Sequence, residues 1–547
     1  MRTLLIQPRF PPSYWSYEGL LSIIGKKTLL PPLSLITVAA LLPQEWQFKL
    51  VDCNAREVTE EDWEWAEIVM ISGMIVQKDS MSDLIKEGKR RNKMVAVGGP
   101  YYTSVPDDAR EAGADYLVLG EGEITIPLFV AALARGETSG VFTANDEKAD
   151  MTLSPMPRYD LLNLDDYSEM SLQFSRGCPF LCEFCDIIIL YGRKPRTKTP
   201  EQVIAELQFL HDLGWTRGVF LVDDNFIGNK PKVKPLLEEI VKWQEKNDYP
   251  YTLTTEASVN LAEDEELLEL MRRACFVAVF LGIETPDTES LALTKKTQNL
   301  RQSLVDQVKA INRAGIRVMG GFIIGFDGEK PNADKRITNF INESGIPHAM
   351  VSMLQALPET HLMDRLKREG RMIPETDHAN LTQGNLMNFI PTRPLRELAK
   401  EHVECNHALY EPKNFLARTY RSCMILGERP KRRKTRPPEP REIYLLLVVF
   451  WRQGVIRSCR RDFWKYFRDL KKNNPAGLRG FIVCCAHFEH FYEYRKHIRN
   501  DIEAQIAKLS DEELDRFMIP PRTEKPMKKP KKRNSTLVQA PIAKAGA

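Results

Sequence analysis

Residues 175–187 read SRGCPFLCEFCDI, and their three cysteines decide how the rest of the chain is understood. Cys178, Cys182 and Cys185 follow the spacing C-x3-C-x2-C on a loop directly after a stretch with strand character. Loop thiolates two or three residues apart can converge on one iron or zinc centre. A structural zinc site or a fully ligated cluster takes four protein ligands, yet no further cysteine or histidine follows until His211. Three thiolates on a four-iron cluster leave one iron open, as a cluster that grasps a substrate requires. A zinc loop with a distant fourth ligand is the competing reading of the same spacing. The other seven cysteines, including the adjacent Cys484 and Cys485, show no comparable clustering and read as buried thiols.

Outward from this loop the chain alternates strands with helices. SLQFSRG, GVFLVDDNF, YTLTTEAS, VAVFLGIET, RVMGGFIIGF and AMVSMLQAL are six candidate strands. The stretches between them have helical periodicity, and TPEQVIAELQFLHDLG opens on Thr199, a residue that can cap a helix. Six strand–helix units make three quarters of an eight-fold barrel. Before the barrel, TLLIQP, FKLVDCN, IVMISGM, MVAVGGP and YLVLGEGE read as five buried strands of a doubly wound parallel sheet. Ligands of such sheets sit at the carboxyl ends of the strands, which here carry Ser72, Gly73, Gly98, Gly99, Gly120 and Glu121. Glycines there would let a ligand approach the backbone closely.

The expected organisation is an α/β chain with a doubly wound, Rossmann-like domain over 1–145 and a connector over 146–169. A partial (β/α)6 barrel of TIM type over 170–365 and a mostly helical domain over 366–520 follow. The tail over 521–547, rich in Lys, Pro and Ala, lacks the apolar content to fold. At 547 residues, several domains are expected. The net charge of +3 is too small to point to nucleic acid. The basic runs at 430–441 and 525–533 read first as solvated linkers. MRTLLIQPRF has too short an apolar run for a secretory signal, so a cytoplasmic location is expected and ten cysteines there would be thiols. IYLLLVVFW (443–451) falls far short of the ~20 residues that span a bilayer. It reads as a buried helix or an interfacial segment.

With Phe184 before the last cysteine, the motif resembles that of the radical S-adenosylmethionine superfamily. VDDN (222–225), TEAS (255–258), GIETP (282–286) and GGFIIGF (320–326) stand at successive strand ends, where members of that superfamily bind the cosubstrate. The resemblance implies that Cys178, Cys182 and Cys185 hold a [4Fe-4S] cluster. It also makes Asp223, Asp224, Asn225, Glu256, Glu284, Gly321 and Gly325 candidates to line S-adenosylmethionine. Its chemistry would be reductive cleavage of S-adenosylmethionine to a 5′-deoxyadenosyl radical that removes hydrogen from an unactivated carbon, with flavodoxin or ferredoxin as reducing partner.

A doubly wound domain ahead of such a barrel is similar to the cobalamin-binding subgroup. In that subgroup cobalamin lies between the two domains, which makes Ser72, Gly73, Gly98, Gly99, Gly120 and Glu121 its candidate contacts. None of the nine histidines precedes His211, so the N-terminal domain offers cobalt no imidazole. Over LQFSRGCP, VDDNFIGN, GIETP and LQALPET the chain looks like the hopanoid C-2 methylase group. That likeness implies methyl transfer to an unactivated carbon of an apolar, lipid-like substrate. Radical cyclisation, coupling or rearrangement on the same architecture, and an iron–sulfur redox or sensing protein, are the alternatives. WRQGVIRSCRRDFWKYFRDLKK (451–472) interleaves aromatic and basic residues, as a helix at an anionic membrane surface would, and equally as a packed helix with snorkelling cations.

Overall fold

The structure is a computed structural model that describes residues 1–293, 296–300, 303–373, 382–428, 430 and 440–518. The expected tail over 521–547 and nearly all of the basic run at 430–441 lie outside the described residues.

The N-terminal sheet contains β1 (Arg2–Gln7), β2 (Gln47–Asp52), β3 (Ile68–Ser72), β4 (Met94–Gly98), β5 (Tyr116–Leu119) and β6 (Gly140–Thr143). All pairings are parallel and the spatial order is β2-β1-β3-β4-β5-β6. Side chains on one face, such as Ile6, Val69, Ile71 and Val97, join a core with Trp63, Met81, Ile85 and Tyr102. Their neighbours Leu5, Ile68, Met70 and Ala96 join a second core with Leu35, Ala39, Ile126 and Phe129. Both faces are dry, which is why these strands read as unbroken apolar runs. The chain leaves β1 towards β2 on one side and returns beyond it as β3, so the order reverses between β1 and β3 and opens a crevice above their carboxyl ends. The sequence reading missed β6. GVFT is an edge strand with alternate residues exposed, so it carries little apolar signal.

The barrel sheet contains β7 (Glu169–Leu172), then, after a small antiparallel pair β8 (Ser175–Arg176) and β9 (Arg196–Thr197), β10 (Gly218–Leu221), β11 (Thr252–Ala257), β12 (Phe276–Glu284), β13 (Arg317–Ile324) and β14 (His348–Met353). Its order is β14-β13-β12-β11-β10-β7, all parallel, an open six-stranded arc. SLQFSRG is therefore not one strand. Asp223 accepts hydrogen bonds from the backbone N–H groups of Phe174 and Ser175 and turns the chain out of the sheet after Leu172. The β8–β9 pair then brackets the cysteine loop at its base.

In a strand, alternate side chains point to opposite faces. Met170, Leu172, Val219, Leu221, Leu253, Val279 and Val318 are buried beneath the surrounding helices. Ser171, Gln173, Phe220, Thr254, Glu256, Phe280 and Met319 point the other way and line a cavity. A closed barrel fills its interior with packed side chains; this arc keeps a lumen.

The open flank is covered by both ends of the chain. Trp15 stands edge-on to Phe280 at 5.4 Å, and the Tyr14 hydroxyl lies 3.0 Å from that of Tyr410 on the helix-rich C-terminal side. His490 Nε2, on the helix Pro475–Ile506, lies 3.1 Å from the Tyr14 carbonyl oxygen.

Candidate active site

One cavity of about 2250 Å³ runs from the crevice of the first sheet into the lumen of the second. A small-molecule site usually occupies ~300–1,000 Å³, so this volume is matched to more than one ligand. Ser72, Gly73, Gly98, Gly99, Gly120 and Glu121 all line it, as do Asp223, Asp224 and Glu256 from the barrel.

The cysteine loop lies beside this cavity rather than on its wall. It is fastened there by the second-strand motif: the Gly177 N–H donates to Asp224 at 3.3 Å, and the Asn225 amide reaches Cys178 Sγ at 3.8 Å. Asn225 also donates to Ser258 Oγ at 3.2 Å and accepts from the Ser258 N–H, which joins VDDN to TEAS. All three thiols are free. Burial pushes each of them above the ordinary thiol range, and the Lys296 ammonium pulls Cys178 and Cys182 back. Gln298 contributes a second amide to sulfur, 4.0 Å from Cys182 Sγ. N–H groups aimed at sulfur together with a buried cation favour thiolates, so the donor set fits an iron–sulfur cluster held by this loop. Among the described residues no group of three or more His, Cys, Asp or Glu side chains could hold a single metal ion.

Glu284 has a positive φ of 66° and pairs with Lys296. Burial alone would lower the Lys296 pKa, but Glu284 and Cys182 hold it above the usual ammonium value. Three further carboxylates cluster nearby. Burial raises Asp223 to about 6; Asp224, beside Asp223 and Asp186, to about 7; and Glu256, beside Asp224 and Glu284, to about 8. Asp223 is consumed by backbone N–H groups. Asp224 and Glu256 face the cavity, and such an acidic wall fits a cationic ligand such as an amine or a sulfonium. Asn225, Glu284, Gly321 and Gly325 do not line the cavity. Gly325 donates its N–H to Glu329 at 2.8 Å, and a Cβ on Gly321 would press on the Phe280 ring at 2.9 Å.

On the opposite wall, Gly98 and Gly99 owe their identity to their own packing. A Cβ on Gly98 would stand 2.7 Å from the Val118 carbonyl oxygen, and Gly99 has φ of +88° with Ser72 Oγ 2.5 Å from the Cβ position. The bare floor this leaves above β3 and β4, topped by the exposed side chain of Met74, offers a broad flat ligand a surface. The N-terminal domain places no imidazole there; His487, on the helix Pro475–Ile506, is the histidine among the lining residues. Such a floor fits cobalamin bound without a histidine from this domain.

Glu121 is committed elsewhere. Its carboxylate accepts from Arg176 at 2.8 Å and from Arg196 at 2.9 Å, while Glu123 takes the rest of the Arg176 fork at 2.9 Å. Arg176 is in β8 and Arg196 in β9, so this buried clamp ties the base of the cysteine loop to the N-terminal domain. Behind the loop, Arg365 donates to Glu183 at 2.8 Å and to Asp327 at 2.7 Å, which braces it from the helix His361–Arg368. Sequence reading missed Arg176, Lys296 and Gln298. At the amino end of the lumen it also missed Glu169, whose carboxyl is raised by burial against the pull of Arg317. Both are charges opening apolar strands with lumen-facing parity, which was the available signal.

Three comparisons bear on this arrangement. Residues 26–130 match the B12 binding domain family, 172–341 the Radical SAM superfamily, and 360–504 a domain of unknown function (DUF4070). The chain is 56% identical to the uncharacterized methyltransferase sll1242 of Synechocystis sp., over 94% of this chain and 96% of the relative. It is 36% identical to the hopanoid C-2 methylase of Rhodopseudomonas palustris, over 89% and 92% of the two chains. Its fold is similar to that of OxsB, solved with aqua-cobalamin and S-adenosylmethionine bound, with a TM-score of 0.55 at 16% identity over 94% of this chain and 82% of that one. The chain belongs to the cobalamin-dependent radical S-adenosylmethionine methyltransferase family, whose cofactors are a [4Fe-4S] cluster, S-adenosylmethionine and cobalamin.

Proposed function

We propose that this enzyme methylates an unactivated carbon of an apolar, lipid-like substrate held in the barrel lumen. The observation that carries this reading is the shape of the lumen. Its wall carries Asp224 and Glu256 at the carboxyl end of the strands, Phe220, Phe280 and Met319 along their middle, Glu169, Thr252 and Arg317 at their amino end, and the aliphatic side chains Leu445, Val449, Leu478, Ile482 and Val483 of the C-terminal helices. The aromatic and aliphatic stretches of that wall hold a hydrocarbon by burial, at roughly 25 cal/mol per Å² removed from water, and Glu169 with Arg317 offer a polar end to it. The hopanoid C-2 methylase relative agrees with a lipid substrate.

In this reading Cys178, Cys182 and Cys185 hold the cluster, with Asn225, Gln298 and Lys296 stabilising the thiolates. Together with S-adenosylmethionine and cobalamin, the cluster supplies a hydrogen-abstracting radical and a transferable methyl group. The chain's own residues bind, orient and exclude. Asp224 and Glu256 attract the cationic cosubstrate, and Glu284, fixed by Lys296, closes the fourth strand beside them. Ser72, Gly98 and Gly99 form the floor for the corrin across the crevice. The clamp of Glu121 and Glu123 on Arg176 keeps the two walls in register, and the packed flank around Trp15 and Tyr14 keeps water out.

The test is chemical. Purified enzyme with reconstituted cluster, cobalamin, reductant and S-adenosylmethionine is incubated with the detergent-solubilised lipid extract of a strain lacking the gene. A lipid gaining the mass of one methylene unit, with 5′-deoxyadenosine formed, is expected. Formation of 5′-deoxyadenosine with a product of unchanged carbon count would replace methylation by rearrangement.

A further inference from the structure

The helix Pro440–Trp451 has two apolar sides. Leu445, Leu446 and Val449 line the far end of the lumen, facing Leu478, Ile482 and Val483 across it. Its other side is bare: Tyr444 is 57% exposed, Leu447 62% and Trp451 59%, and Val449 is the buried residue of the helix. The patch continues through a π turn, Arg452–Ile456, which keeps Val455 and Ile456 outward beside Trp451. It is a built surface. Trp464 stacks on Phe450 at 5.7 Å and donates its indole N–H to the Gly454 carbonyl at 2.9 Å, so the aromatic platform has one arrangement.

A cluster of this size on a surface marks a contact with another phase or molecule. Charge selects among the possible occupants. Between residues 440 and 472 there are nine Lys or Arg against three Asp or Glu. Arg441, Arg452, Arg460, Arg461, Lys465 and Arg468 are exposed around the apolar residues. Apolar side chains within a rim of cations match the acyl boundary and anionic headgroups of a bilayer. Among the described residues no helix is long and apolar enough to cross a membrane, so the geometry is that of a helix lying in the interface. Leu446, 36% exposed and part of the lumen wall, directly precedes the exposed Leu447, so one helix separates the lumen from the bare face.

We propose that this face seats on an anionic bilayer and that the lumen opens there, so that a lipid passes from the membrane along Leu446 into the tunnel. The inference rests on the lipid-substrate reading above and adds the partner surface and the route.

The experiment uses full-length holoenzyme and vesicles of phosphatidylcholine with or without phosphatidylglycerol. Flotation with the phosphatidylglycerol vesicles is expected, weakened by salt. Leu447→Asp with Trp451→Asp should weaken it by about tenfold or more, while the cluster spectrum and methylation of detergent-solubilised lipid persist. Ile456→Glu, at a separate exposed position, should act in the same direction and serves if the double variant does not fold. Quenching of tryptophan fluorescence by bromolipid is expected and should fall in Trp451→Phe, with Trp464 of the same face giving the remainder. A wild-type enzyme that ignores both vesicles yet methylates solubilised lipid overturns the membrane seat and leaves the substrate reading intact. Vesicle binding with no lipid methylated in either format overturns the substrate reading and the lipid route with it. Sedimentation showing a dimer that Leu447→Asp dissociates would assign the patch to a second copy of the chain and overturn the proposal.

Discussion

The two sheets of this protein have the same strand number and the same all-parallel pairing, yet opposite faces tell them apart. Every residue of β3 is buried, because helices cover the first sheet on both sides. In β11 burial alternates residue by residue, because one face carries helices and the other borders the lumen. Parallel sheets normally read as continuous apolar runs, so a polar alternation in such a sheet marks a hollow. TLTTEA has that alternation, and its lumen-facing members Thr252, Thr254 and Glu256 line the cavity.

The largest effect should come from the rim of the hollow sheet. Replacing Cys178, Cys182 or Cys185 by Ala is expected to remove most of the iron and acid-labile sulfide and to reduce 5′-deoxyadenosine formation to background. A variant that keeps a full cluster would break the assignment of that thiol. Next is the join between the sheets. Arg176→Met leaves Glu123 without its buried partner and Glu121 with Arg196 alone, and should lower stability by about 3–5 kcal/mol, as breaking a buried ion pair does. Denaturant titration checks this, and an unchanged midpoint would show that the clamp does not hold the domains.

The comparison itself is sharpened by a matched pair. Ile68→Ala, in the sheet packed on both faces, should cost about 2–5 kcal/mol in denaturant titration. Thr252→Leu, at a half-buried position on the lumen wall, should leave stability nearly unchanged. It should lower kcat/KM for the lipid by a factor corresponding to about 1–3 kcal/mol, without lowering uncoupled cleavage of S-adenosylmethionine. Equal stability losses in both would mean that the lumen is a packed interior after all.

The smallest effect concerns the brace behind the cysteine loop. Burial opposes the charge of Asp327, but Arg371 and Arg365 hold its carboxyl below the usual range. A depressed folded-state pKa contributes stability above the unfolded value of roughly 3.9. That contribution is lost as pH falls through the lower folded value. Asp327→Asn should therefore cost about 1–2 kcal/mol at pH 7 and flatten the acid limb of the stability profile below about pH 4. A parallel downward shift of the profile at all pH values would locate the effect elsewhere.

Much of this was legible in the chain because it depends on local pattern. The strand repeats, the C-x3-C-x2-C loop and the acidic strand ends at 222–225 and 256 each lie within a few residues. What was not legible depends on partners far apart in sequence. Arg176 and Glu121 are 55 positions apart, and Gln298 reaches Cys182 across 116. Gly98 shows how a correct position can carry the wrong reason. Its place at a strand end is as expected, but the Val118 carbonyl excludes a side chain there before any ligand does. The segment 443–451 is the reverse case, since apolar composition alone cannot say that one side of a helix meets a cavity and the other meets solvent.

The contact between His490 and Tyr14 joins groups 476 positions apart. A ribosome adding ~5–20 residues per second needs about 25–95 s to cover that interval. During this time the N-terminal sheet can assemble, while Trp15 and Tyr14 have no C-terminal surface to meet. The flank of the barrel is thus the last wall to be laid, and the lumen is closed on that side only once the helix Pro475–Ile506 has been made.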